Sequence, residues 1–285
     1  KVIKPGGDAA AAIEGKAEIS CSGDVILQNW GGDIGSGRNL TKYGLTVHRA
    51  NTVTTEGGIN GEANINCTGD IKLGNEWGTT ASKLTVNSAY NVTVTSGSSY
   101  RSIENGVEIT CSGTVEIKGE TPIEGDVKIV AGQDVSLEYK KDEGDWDNQN
   151  VINITAAGKV ELNSYRYSYS DLGKVIFTQK KGQPYVYFTD KSSEEYKDSR
   201  ITPIPGTIES RYLRIEPRET YSITVKNGTA QVDGDTTGLN TAFAGEKVTV
   251  SGKNGNPSVT TFGGWKVISP ESFELTEEQK NTEEN

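Results

Sequence analysis

The sequence has little of what a globular enzyme of its length usually contains. Only 33% of its 285 residues are hydrophobic, histidine occurs once, and methionine does not occur. The low apolar content disfavours a thick globular core, whereas a solenoid buries only a thin inner layer in each coil. Because there is no initiator methionine, we expect a fragment of a longer precursor whose targeting ends lie outside it.

Two further absences limit the partners. No apolar run is long enough to span a bilayer, so we expect no membrane insertion in this fragment. Basic residues number 29 and acidic residues 39, for a net charge of −10. An acidic surface repels nucleic acid and anionic lipid, so we expect no nucleic acid as a partner.

What the sequence does contain is a repeat, clearest in Ile59–Leu73 (INGEANINCTGDIKL). Relative to Ile65, apolar residues fall at −6, 0, +2, +6 and +8, and glycines at −4 and +4. Steps of two indicate strands with one buried face, and the glycines indicate corners with φ above zero. Zero positions recur at Ile19, Val47, Ile65, Val86, Ile109, Ile129 and Ile154, with a degraded copy near Ile176.

The period and the pattern together predict the fold. From Ile19 to Ile176 is 157 residues over seven steps, or about 22 residues per coil, which is within the range for stacked solenoids. We predict an all-β chain in which residues 1–218 form a right-handed parallel β-helix of about eight coils with caps. Residues 219–285 are predicted to form a small, incomplete β domain, with a hairpin at Asn227-Gly228 and a core of Phe243, Phe262 and Trp265.

The cysteines follow the same repeat. Cys21, Cys67 and Cys111 all lie at position +2, two coils apart, with Arg49 and Ser88 at +2 in the coils between. Alternate coils are about 9.6 Å apart, beyond the roughly 7 Å limit between Cα atoms for a disulfide. We therefore predict free, buried thiols that act as small hydrophobes.

Two stretches of the chain resemble known families. ISCSGDVIL (Ile19–Leu27), INCTGDIKL (Ile65–Leu73) and ITAAGKVEL (Ile154–Leu162) resemble the repeats of filamentous-haemagglutinin-type adhesins, right-handed parallel β-helices on bacterial surfaces. YSITVKNGTA (Tyr221–Ala230) and AFAGEKVTVSG (Ala242–Gly252), followed by FGGWKVIS, resemble a divergent internalin-type B-repeat, common in secreted Gram-positive proteins. The resemblance implies a non-enzymatic, secreted or cell-surface protein whose solenoid is a stalk or display surface. The implied partner is a host or cell-wall glycan or a surface protein.

Two groups of residues are candidate ligand sites. Trp30 and Trp77 follow their +8 residues by three and four positions, so they lie at similar places two coils apart and form a possible sugar-stacking face; alternatively, each ring covers its own loop. Asp142, Asp145 and Asp147 form a cluster of hard oxygen ligands that suits Ca²⁺, although its spacing is not that of an EF-hand. The alternative is an acidic solvated turn, and we expect no other cofactor.

The rival function is that of a polysaccharide-binding module or a β-helix polysaccharide lyase or hydrolase. Such an enzyme needs carboxylates projecting together from one face, and Asp24, Asp70 and Asp134 share position +5. The alternative is that Asp, Asn and Thr suit the residue after a glycine corner. The one histidine, His48, lies at the outward position +1, so we predict a surface histidine and no catalytic residue.

Overall fold

The chain divides into two compact units, Lys1–Arg218 and Glu219–Asn285. The computed structural model describes residues 2–3, 16–27, 44–56, 59, 61–74, 82–95, 103, 105–119, 123–139, 150–164, 171–225, 228–232 and 240–252. These residues form strands and turns without a helix. The predicted all-β class is confirmed.

The first unit is built from two parallel sheets, and each coil supplies one strand to each sheet. Sheet B receives the first strand of each coil: β2 (Lys16–Ser20), β4 (Gly44–Arg49), β6 (Glu62–Asn66), β8 (Lys83–Ser88), β10 (Val107–Thr110), β12 (Val127–Val130) and β14 (Val151–Ala156). Sheet A receives the second: β3 (Val25–Leu27), β5 (Val53–Thr55), β7 (Ile71–Leu73), β9 (Val92–Thr95), β11 (Val115–Lys118), β13 (Val135–Tyr139) and β15 (Val160–Ser164). A short strand, β1 (Val2–Ile3), pairs parallel with β3. The predicted parallel solenoid is therefore confirmed.

The strand register matches the repeat at positions 0 and +6 through the first seven coils. Ile65 pairs with Val47 on one side and Val86 on the other, and Ile71 pairs with Val53 and Val92. Ile65 and Ile71 are fully buried. The −6 residues Ile59, Ile103 and Ile123 are equally buried. Because β-branched side chains pack well on a pleated surface, the inward columns fill the core from coil to coil.

The eighth coil differs from the prediction. Its first strand, β16 (Gly173–Gln179), continues sheet B, with Phe177 opposite Ile154. Position zero is therefore Phe177, and the choice of Ile176 was wrong by one residue, which is why Ile176 is 42% exposed. A shift of one residue moves each side chain to the other face. The strand after it, β17 (Tyr185–Phe188), leaves the parallel stack, so the described residues contain seven two-strand coils and a partial eighth.

Antiparallel strands close the end of the stack. β17 pairs with β18 (Lys197–Asp198) and with β20 (Tyr212–Pro217), and β20 also pairs with β15 along Val160–Asn163. On sheet B, β19 (Thr207–Ile208) pairs only with Gly173 and Lys174 of β16. Sheet A is thus capped along a whole strand, and sheet B along two residues.

Coils with a cysteine alternate with coils that carry a β-bulge. The register shifts between Ile19 and Ser20 and between Ile65 and Asn66, which leaves His48 and Asn87 as the extra residues of β4 and β8. In a β-bulge, one strand has an extra residue that has no pairing partner on the neighbouring strand. The bulge turns Arg49 and Ser88 outward, so our placement of them inward at +2 was wrong. Ala50 and Ala89, the next residues, are buried instead.

Glycine is required at the two kinds of corner, positions −4 and +4, for two different reasons. Gly61 and Gly125, at −4, have φ of 122° and 94°, as predicted. Gly69, at +4, does not have a positive φ, and that prediction was wrong. A Cβ there would lie 2.8 Å from the backbone oxygen of Asn51 in the preceding coil. Close stacking, rather than a left-handed backbone, requires glycine at this corner.

The second unit pairs its strands differently from the prediction. β21 (Thr220–Ser222) pairs antiparallel with β23 (Thr241–Phe243), and β22 (Gly228–Val232) pairs with β24 (Val248–Gly252). The predicted hairpin across Gly228 is therefore wrong, because each strand takes a later partner in place of its neighbour. Phe243 is buried as expected, and Phe262 and Trp265 lie outside the described residues.

Candidate functional site

The residues predicted to bind a ligand or a metal are not among those the structure describes. Trp30, Trp77, Asp142, Asp145 and Asp147 all lie outside the described ranges. His48 is described: it is exposed, and its Nε2 lies 3.5 Å from Oε2 of Glu18 on the preceding coil. A solvent-facing imidazole beside one carboxylate, on the bulge, agrees with the predicted surface role.

The described residues bring the position +5 side chains into one row along the corner between the two sheets. We call this set the corner row: Asp24, Thr52, Asp70, Asn91, Thr114, Asp134 and Lys159. Each of its members follows the corner and precedes the first residue of a sheet A strand. Successive members are therefore one coil apart, close enough for short polar side chains to reach their neighbours.

Hydrogen bonds join successive members of the corner row. Asn91 donates from Nδ2 to Oδ1 of Asp70 at 2.9 Å. Its own Oδ1 accepts from the backbone amide of Thr114 at 2.9 Å and from the Thr114 hydroxyl at 3.1 Å. At the far end, Asp134 Oδ1 accepts from the backbone amide of Lys159 at 2.7 Å. The row thus bonds the coils of Asp70, Asn91 and Thr114 in succession, and the coil of Asp134 to that of Lys159.

The first carboxylate of the corner row is held in the same way. Thr52 donates from Oγ1 to Asp24 Oδ1 at 2.8 Å, and Asn51 donates from Nδ2 at 2.9 Å. These two bonds lower the pKa of Asp24. A general acid needs a raised pKa. The pKa of Asp24 is lowered instead, which suits a carboxylate that only accepts hydrogen bonds. The alternative reading of these residues, as corner-forming side chains, accounts for all of these contacts.

The cysteines form a second row beside the corner. All three are free, and the thiols of Cys21, Cys67 and Cys111 donate to the carbonyl oxygens of Gly23, Gly69 and Gly113 at 3.3, 3.2 and 3.5 Å. Burial raises the pKa of Cys67 and Cys111. Cys21 is only half-buried, so the prediction of three buried thiols was wrong for the first coil, whose strand β2 lies at the edge of sheet B.

A cluster on the outer face of the cap was not predicted from the sequence. Arg214 Cζ lies 3.8 Å from the ring centroid of Phe188, and that ring meets Tyr196 edge-on at a centroid distance of 6.0 Å. Glu216 lies between Arg214 and Arg218, with N–O distances of 3.2 and 3.3 Å. The alternation of Arg214 and Glu216 in β20 with Arg218 just after it was the available signal. Because both arginines pair with Glu216 inside the cluster, we infer that the cluster serves to pack the cap.

The described residues contain neither a metal-binding cluster nor a membrane-spanning helix. No group of three or more His, Cys, Asp or Glu side chains in that part of the chain is placed to hold a metal ion. No helix there is long and apolar enough to cross a membrane.

No protein-family model, curated protein or solved structure matches the chain.

Proposed function

We propose that the protein is a non-enzymatic adhesin-type protein, secreted or attached to the bacterial cell surface, whose solenoid acts as a stalk or ligand-display surface. The observation that carries the proposal concerns the three carboxylates that a polysaccharide lyase or hydrolase would need for catalysis, which bond neighbouring coils together. Asp24, Asp70 and Asp134 each accept hydrogen bonds from the following coil. They stabilise the stack, and the proposed partner is a host or cell-wall glycan or a surface protein.

The interior supports a scaffold role as well. Inward columns of β-branched residues run through every coil, and the corner row adds polar bonds across coil boundaries. In a solenoid each coil contacts only its neighbours, so such bonding determines how stiffly the stack resists bending. A protein that presents a ligand at a distance needs this property.

Glycan binding tests the proposal directly. We would probe a glycan array with the full chain and with a Trp30→Ala/Trp77→Ala variant. The matched control is Tyr90→Ala, which removes an aromatic ring that is 49% exposed elsewhere on the solenoid. Binding that is lost with the two tryptophans and kept without Tyr90 supports sugar recognition at that face. Equal loss in both variants contradicts it.

The rival enzyme function has its own test. We would incubate the chain with polyuronides and measure released reducing ends, with an Asp24→Asn/Asp70→Asn/Asp134→Asn variant alongside. We expect no release by either protein. Release by the wild type that disappears in the variant would overturn the non-enzymatic proposal.

Calcium is proposed as a ligand of the acidic loop only. Titration calorimetry with CaCl₂ would compare the full chain with an Asp142→Asn/Asp145→Asn/Asp147→Asn variant. Heat of binding that the variant lacks supports a site, because carboxylate oxygens are the ligands Ca²⁺ prefers. Identical traces from the two proteins exclude this loop as the site.

A further inference from the structure

The last parallel strand of sheet B, β16, has an outer edge that the cap leaves open within the described residues. β19 pairs with β16 only at Gly173 and Lys174. The rest of β16 has β14 on one side and no described strand on the other. The corresponding edge of sheet A is covered along β15 by β20. The two sheets are therefore finished unequally.

The hydrogen bonds show which backbone groups face that open edge. The amide of Val175 donates outward to the Gly206 carbonyl at 3.2 Å, and the amide of Lys180 donates inward to Ala156 of β14 at 2.8 Å. In a parallel strand, alternate residues direct their N–H and C=O to opposite neighbours. The N–H and C=O of Phe177, like those of Val175, consequently point to the outer edge. No described residue bonds to them there.

The side chains at this edge are incompletely covered too. Phe177 is half-buried, whereas Ile154 and Ile129, at the same position in the two preceding coils, are at most 1% exposed. Ile176, on the outer face of the same strand, adds an apolar side chain that is 42% exposed. An open edge with exposed apolar residues is a template for a further strand.

Charge indicates what kind of strand fits. Lys174, Lys180 and Lys181 are exposed around the edge, and none of them forms an ion pair with a described residue. If two copies paired through β16, these lysines would face one another, which disfavours a second copy. An acidic strand would instead meet them with opposite charge.

We propose that the β16 edge at Ile176–Thr178 binds an extended acidic segment of a partner protein by strand addition. The backbone of the segment would bond to the N–H and C=O of Phe177. Its carboxylates would lie near the three lysines. This inference does not depend on glycan recognition.

Synthetic peptides test it on the full chain. The probe is Glu-Val-Glu-Ile-Glu-Val-Glu. One comparison peptide replaces each Glu with Lys, and another, Glu-Pro-Glu-Pro-Glu-Pro-Glu, keeps the charge but removes amide donors. We expect the probe to bind at least about tenfold more tightly than either comparison peptide. Equal binding of the proline peptide would overturn strand addition and leave charge attraction only.

Protein variants and hydrogen exchange complete the test. Lys174→Glu/Lys180→Glu/Lys181→Glu should weaken probe binding about tenfold or more, whereas Lys16→Glu/Lys72→Glu/Lys83→Glu, with the same change in net charge, should not. Residue-resolved amide exchange should show Phe177 exchanging faster than Ile176 in the free protein and slowing on probe addition. A Phe177 amide already as protected as that of Ile176, or unchanged by the probe, overturns the proposal.

Discussion

Asn91 accepts a hydrogen bond from the backbone amide of Thr114 at 2.9 Å while donating to Asp70 at 2.9 Å. One side chain thus joins three successive coils. Its amide suits this task because it offers an acceptor and donors together. A carboxylate at the same place would be an acceptor only.

Replacing Asn91 with alanine should therefore destabilise the solenoid. The Thr114 amide and the Asp70 carboxylate both lose their partner, and the expected cost is about 1–3 kcal/mol. The matched control is Asn87→Ala, which removes an exposed amide bonded to Asn64 at 3.0 Å and should change stability by no more than about 0.5 kcal/mol. Urea unfolding measures both, and equal midpoints would contradict the role given to the corner row.

Close stacking at the corners leads to a second prediction. A Cβ at Gly113 would lie 2.2 Å from Oδ1 of Asn91 and 2.7 Å from the Tyr90 carbonyl oxygen. Gly113→Ala should therefore force neighbouring coils apart, at a cost of about 1–3 kcal/mol.

Gly23 provides the control for this substitution. It occupies the same position in the first coil, and a Cβ there meets nothing within 4 Å. Gly23→Ala should leave the unfolding midpoint almost unchanged. If both substitutions cost the same, backbone conformation rather than stacking explains the glycines.

The columns of the core could be predicted because their signal is local and repeated. Every +6 residue from Val25 to Val160 is β-branched, and each pairs with the next as expected. A one-residue error in register would have exposed a whole column. The carboxylates Asp24, Asp70 and Asp134 could be placed at one corner for the same reason.

The bulges could not be predicted from spacing alone. In the coils of Val47 and Val86 the extra residue of the bulge is offset by a corner one residue shorter, so the distance from position 0 to +6 is unchanged. The two-coil spacing of the cysteines was the available signal, since among the first five coils the two bulged coils carry alanine where the other three carry cysteine. The strand partners of the second unit depend on tertiary pairing, which overrode the local Asn-Gly turn signal.

The cysteine row gives a third prediction. In the native protein a thiol reagent should label Cys21 first, because it is half-buried while Cys67 and Cys111 are 4% and 5% exposed. Denaturation should release all three thiols. Mass mapping of the labelled protein tests this order. Early labelling of Cys67 would mean that the corner opens locally.

The raised pKa values of Cys67 and Cys111 lead to the last prediction. Because burial raises these pKa values, the folded protein keeps both thiol protons at a pH where the unfolded chain has lost them. The resulting stability is fully present below the unfolded pKa of about 8.5 and is lost as pH rises through the folded pKa. Wild type should therefore lose stability more steeply above about pH 8.5 than Cys67→Ala/Cys111→Ala.

Alanine is a sound replacement, because Ala131 and Ala156 fill the same position in later coils and are fully buried. Tyr185, Tyr187 and Tyr212, whose pKa values burial also raises, are present in both proteins, so their contribution cancels in the comparison. Urea unfolding under reducing conditions at about pH 7, 8.5 and 10 measures the difference. We expect the stability advantage of wild type over the variant to shrink at each step. If the free energy of unfolding fell equally with pH in both proteins, the buried thiols would not be the cause of the stability loss at alkaline pH.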